Sequence, residues 1–93
     1  MSTTLGDEEI AARLEGRSWL REGTTIVRDL HFDDFAAAMA FVNRVAPAAE
    51  DAGHHPDILV HDWNRVRLTL WTHSAGGLTD ADFELAERID ELV

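Results

Sequence analysis

Without a single cysteine, a chain of 93 residues has no disulfide to rely on and must be held together by one hydrophobic core. A domain of this size buries roughly two-thirds of its unfolded surface, enough for one core and not for two, so residues 1–93 are expected to form a single domain. Any large binding surface then has to come from association of several copies. The 45% hydrophobic content is ordinary for a globular protein. No apolar run approaches the roughly 20 residues that a membrane helix requires, so no membrane partner is expected. The stretch from Met1 to Glu9 lacks the basic region and apolar core of a secretory signal, which makes a cytoplasmic location the expectation.

Eighteen acids against eight arginines leave a formal net charge of -10. Such a field repels phosphate backbones, so direct nucleic-acid binding is not expected, and small neutral ligands or protein partners fit better. The acids are not massed in a tail. They stand at predicted helix starts, Asp7-Glu8-Glu9, Asp33-Asp34 and Asp80 with Asp82, where the helix dipole favours negative charge.

The hydrophobic pattern changes period at glycine-marked junctions. A helix is predicted from about Asp7 to Glu15, with Ile10, Ala11 and Leu14 as its apolar stripe and Gly16 as its stop. Trp19-Leu20-Arg21 and Ile26 to His31 flank Glu22-Gly23-Thr24 and read as a hairpin. Asp33 is expected to cap a long second helix running toward Asp51, in which Pro47 should produce a kink or an irregular last turn near Ala46. Ile58-Leu59-Val60 and Val66 to Trp71 read as two further strands, with Val66, Leu68 and Leu70 on one side. After a loop from Thr72 to Gly77, Thr79 and Asp82 resemble a capping box, and a last helix carries Phe83, Ala86, Ile89 and Val93 inward. The order helix-strand-strand-helix-strand-strand-helix predicts an α+β domain, a four-stranded antiparallel sheet with helices packed on one face.

Four of the five histidines, His54, His55, His61 and His73, fall within one short stretch. Imidazole is the side chain whose ordinary pKa lies near physiological pH, and with no cysteine, tyrosine or lysine present the only proton-transfer chemistry left is imidazole and carboxylate. Pro56 biases His55 toward extended geometry, and in a hairpin of this length the end of the fourth strand returns beside the start of the third, so His54 or His55 can meet His73. Glu50, four residues before His54, could set that ring's tautomer if the helix persists, and Asp82 could do the same for His73. Trp63 offers a flat apolar wall for a planar heterocycle. His31 reads as structural, and His61 has no evident partner. Three readings of the cluster stand at this point: an acid/base site, a metal site made of His54, His73 and an acid, and unconnected histidines. The metal reading lacks cysteine ligands and an H-E-x-x-H spacing.

The series Glu50-x-x-x-His54-His55-Pro56, six residues, Trp63, nine residues, His73, eight residues, Asp82 resembles the signature of the pterin-4a-carbinolamine dehydratases. The similarity extends through Gly16-Arg17-Ser18-Trp19, His31-Phe32-x-Asp34-Phe35, Phe41 to Ala46 and Thr72 to Thr79, and so covers almost the whole chain. Pro47 and Trp71 depart from the pattern. The resemblance implies dehydration of 4a-hydroxytetrahydropterin, the product left by aromatic amino-acid hydroxylases, with no metal or organic cofactor and in a homodimer or homotetramer. It implies His54 and His73 as the acid/base groups, with His55 chiefly binding and orienting. Pro56 and Trp63 would line the substrate, and Glu50 and Asp82 would orient the rings. Some animal members also bind a homeodomain transcription factor. The rival expectation is therefore a non-catalytic interaction module that stabilises a partner's oligomer.

Overall fold

The computed structural model describes residues 3–93; Met1 and Ser2, at the start of the N-terminal stretch read above, lie outside the described residues. In chain order the elements are α1 (Asp7–Leu14), β1 (Leu20–Glu22), β2 (Thr25–His31), α2 (Phe35–Ala52), β3 (Asp57–His61), β4 (Arg65–Leu70) and α3 (Asp80–Asp90). The strands pair antiparallel throughout in the order β1-β2-β4-β3, leaving β1 and β3 at the edges.

Alternation along β4 decides which face is covered. Val66, Leu68 and Leu70 are fully buried, and their partners Leu30, Ile26 and Ile58 share that face. Against them pack Ile10 of α1, Ala38, Phe41, Val45 and Ala49 of α2, and Phe83, Leu85, Ala86 and Ile89 of α3. The opposite face carries Asp29, His31, Arg65 and Arg67 and, among the described residues, has no helix over it. Trp19, just before β1, is buried in the same core; its indole N–H donates to Asp90 Oδ1 at 2.8 Å, and the Arg28 guanidinium pairs with that same oxygen. One carboxylate at the end of α3 thus holds down the β1–β2 hairpin.

Three local expectations are corrected. The cap of α2 is Asp34 rather than Asp33: its extended backbone lets Oδ1 accept the N–H of Ala37 at 2.7 Å, the three-residue reach an N-cap needs. The helix also runs unbroken through Pro47 to Ala52. Pro47 lies on the exposed face, as does Asn43, whose carbonyl loses its helical donor there and is open to water. Finally, Val93 lies beyond the end of α3 and is 56% exposed, while Leu85 takes a core position with Phe83, Ala86 and Ile89.

Candidate active site

How α2 stops determines where His54 goes. Gly53 adopts the left-handed conformation, φ 62 and ψ 29; its N–H donates to the Glu50 carbonyl and the N–H of His54 to that of Ala49, both at 3.1 Å. This double closure is a Schellman motif, which favours glycine because a side chain is strained at that φ. The chain is thereby turned off the helix axis at His54 and passes through His55 and Pro56 into β3 at Asp57.

Asp82, in the first turn of α3, is fully buried. His54 Nε2 lies 2.6 Å from its Oδ1, while Oδ2 accepts the Thr72 hydroxyl at 2.8 Å and the backbone N–H of Thr79 at 2.9 Å. A carboxylate only accepts, so Nε2–H of His54 donates and Nδ1 is the nitrogen left for a ligand. Thr72 Oγ1 is also 2.8 Å from Thr79 Oγ1. Since Thr72 has one proton and gives it to Asp82, the Thr79 hydroxyl must donate to Thr72. The result is a directed chain from Thr79 through Thr72 to Asp82, with His54 donating from the other side. No side-chain polar atom is left buried without a partner among the described residues.

These pairings differ from those expected. Glu50 meets His55 rather than His54, at 2.8 Å between Oε1 and Nε2, because the turn at Gly53 carries His54 off the Glu50 face. Both members of that pair are well exposed, so it orients His55 only weakly. Asp82 serves His54 rather than His73. His73 is exposed and lies against Trp71, ring centroids 4.0 Å apart. It reaches the same end of the sheet as His54 because the residue before it, Thr72, bonds the carboxylate that His54 bonds. Continued past its last pair, Asp57 with Thr69, the β3–β4 register would bring His54 opposite Thr72.

Trp63 is not brought to this cluster within one chain. It sits in the β3–β4 turn, with φ of 47 at Asp62 and 55 at Trp63, and is 62% exposed, while His54, His55 and Pro56 lie at the other end of β3. Five strand residues at about 3.3 Å each separate the two ends. Among the described residues no three His, Asp or Glu side chains are grouped as ligands for a metal ion. Sequence reasoning missed Thr72 and read Thr79 only as a cap. The one available signal was that a threonine directly precedes His73.

Fold and site together define a small α+β protein that presents an imidazole oriented by a buried carboxylate at the exit of its long helix. The chain belongs to the pterin-4a-carbinolamine dehydratase family, whose model, described as pterin 4 alpha carbinolamine dehydratase, matches residues 3–92. A relative in Nocardia farcinica, provisionally named a pterin-4-alpha-carbinolamine dehydratase, is 54% identical over 89 residues, covering 95% of this chain and 93% of its own. One of the same provisional name in Roseiflexus sp. is 49% identical, with both chains fully covered. Among solved structures, a transcriptional coactivator/pterin dehydratase from Brucella melitensis superposes with a TM-score of 0.90 at 31% identity, over 97% of this chain and 98% of that one. A pterin dehydratase-like protein identified as a RuBisCO assembly factor in the alpha-carboxysome gives a TM-score of 0.67 at 28% identity, over 83% and 90%.

Proposed function

We propose that this chain dehydrates a 4a-hydroxytetrahydropterin to the quinonoid dihydropterin and water, recycling the pterin of aromatic amino-acid hydroxylases in the cytoplasm as a homodimer or homotetramer. The C4a–O bond breaks, one imidazole gives its proton to the leaving oxygen, the other takes the proton from N5, and the C4a–N5 double bond forms. His54 and His73 carry these protons, and no metal or organic cofactor takes part. His55 and Pro56 bound the substrate, whereas Trp63 could contribute only from another copy. Glu50 and Asp82 orient His55 and His54 respectively. The observation that carries the reading is the buried chain ending in Asp82, which engages His54 Nε2 and leaves Nδ1 without a protein partner among the described residues, free to face the substrate.

The test is to generate the carbinolamine with a hydroxylase and follow its ultraviolet decay with and without the protein. General acid/base groups contribute about 100- to 10,000-fold, so His54→Ala and His73→Ala should each lower turnover by at least about tenfold. Near-wild-type turnover in both variants, with the fold intact, sinks the assignment.

A second reading is favoured by the RuBisCO assembly factor of similar fold: a docking module that stabilises a partner's oligomer. No acceleration of the decay, together with saturable binding to another protein, would favour that reading.

A further inference from the structure

The face of the sheet opposite the helices carries a second constellation that the dehydratase reading does not use. In the register of β2, β4 and β3, Arg65 pairs with His31 on one side and with His61 on the other. Cross-strand partners project from the same face, so the three side chains form a row at the end of the sheet near the β3–β4 turn. The next row along that face includes Asp29 and Arg67, joined by two hydrogen bonds of 2.8 and 3.0 Å. With Leu30 these residues line an open depression of about 340 Å³. Its size falls in the range of small-molecule sites, and β3 lies between it and His54.

The charges in this depression are unevenly matched. Arg67 is neutralised by Asp29, with Glu22 a further 3.8 Å away, and His61 Nδ1 lies 3.1 Å from Asp62. Of the eight arginines, Arg65 alone has neither a side-chain hydrogen bond nor an ion pair among the described residues. In a chain with a net charge of -10, an unmatched guanidinium between two imidazoles runs against the overall field. A planar fork that carries no carboxylate of its own suits an oxyanion better than a neutral ring.

We infer that this face binds the oxyanion group of a small molecule, a carboxylate or a phosphate, held by the Arg65 fork with His31 donating beside it and His61, whose Nδ1–H is given to Asp62, flanking it on the other side. The site is independent of the His54 chemistry and stands or falls without it.

The test is a backbone amide NMR titration at constant ionic strength, one arm with inorganic phosphate and one with succinate. Saturable shifts confined to Asp29–His31 and His61–Arg67 are expected in at least one arm, and the arm that saturates identifies the oxyanion. Arg65→Gln should weaken that binding by at least about tenfold, the loss of a charge-assisted bond, while its carbinolamine decay rate stays at the wild-type value. Arg65→Lys, which keeps the charge but not the fork, should fall between the two and serves if the glutamine variant fails to fold. Linear, unsaturated shifts in both arms, shifts centred on His54, or unchanged affinity in the Arg65 variants would overturn the inference.

Discussion

Replacing Asp82 by asparagine changes one oxygen for an amide nitrogen at constant shape, and the structure says which atom matters. Two donors, the Thr72 hydroxyl and the Thr79 N–H, converge on Oδ2, and only His54 faces Oδ1. The amide therefore keeps its oxygen where the two donors meet and turns its NH₂ toward His54. Nε2 must then accept, and the ring proton moves to Nδ1, the atom assigned to the substrate. Removing a general base costs about 100- to 10,000-fold, or about 2.7–5.4 kcal/mol of transition-state stabilisation. All three hydrogen bonds survive with one reversed, so the variant should stay folded. Asp82→Ala, in contrast, orphans buried donors at about 1–3 kcal/mol each. The assay pairs stopped-flow ultraviolet decay of the carbinolamine with ¹⁵N NMR of the His54 ring. Turnover within a few-fold of wild type, with the ring proton shifted to Nδ1, would refute the role given to that nitrogen. An unshifted proton would refute the hydrogen-bond chain itself.

Gly53→Ala meets no neighbour within 4 Å but is forced to a φ of 62, so a loss of about 1–2 kcal/mol is expected by chemical denaturation, with turnover falling as His54 shifts. Asp90→Ala should cost about 1–3 kcal/mol and raise Trp19 fluorescence quenching by acrylamide, since the indole N–H and Arg28 lose their common acceptor. Asp29 is held below its ordinary value of 3.8, first by its hydrogen bonds from Arg67 and then by the charge of that guanidinium. A depressed carboxyl contributes stability that is present above the ordinary Asp value and lost as pH falls through the folded one. Because the side chain is largely exposed, that contribution should be small. Carboxyl ¹³C titration should therefore find Asp29 below 3.8, and Arg67→Gln should move it up.

The element order is legible in the sequence because each junction marks itself. Gly16, Gly23 and Gly53 all take positive φ, and β4 alternates cleanly between buried and outward residues. The covered face of the sheet follows from that alternation. The partners of the histidines are not legible in the same way. At four residues' separation, Glu50 looks like the natural carboxylate for His54, but that rule holds only while the helix continues, and one left-handed residue cancels it. Asp82 pairs with a histidine 28 positions upstream through a contact that exists only once α3 docks on the sheet. Trp63 shows the converse failure, since closeness to the histidines along the chain ends in separation by the full length of a strand. Pro47 reads as a break because its cost is local, whereas exposure of the Asn43 carbonyl is a property of the folded surface.

The tautomer of His54 is set by Thr79 and Asp82, which a growing polypeptide adds only after all four strands. A nascent chain emerging from the ribosome through β4 already carries both adjacent imidazoles and the sheet beneath them, yet has nothing to orient the first ring. Chemical competence at this position should therefore arrive after the sheet and all at once, when α3 closes over the core. A protein trimmed just before Thr79 would keep every histidine and lose the arrangement that makes one of them useful.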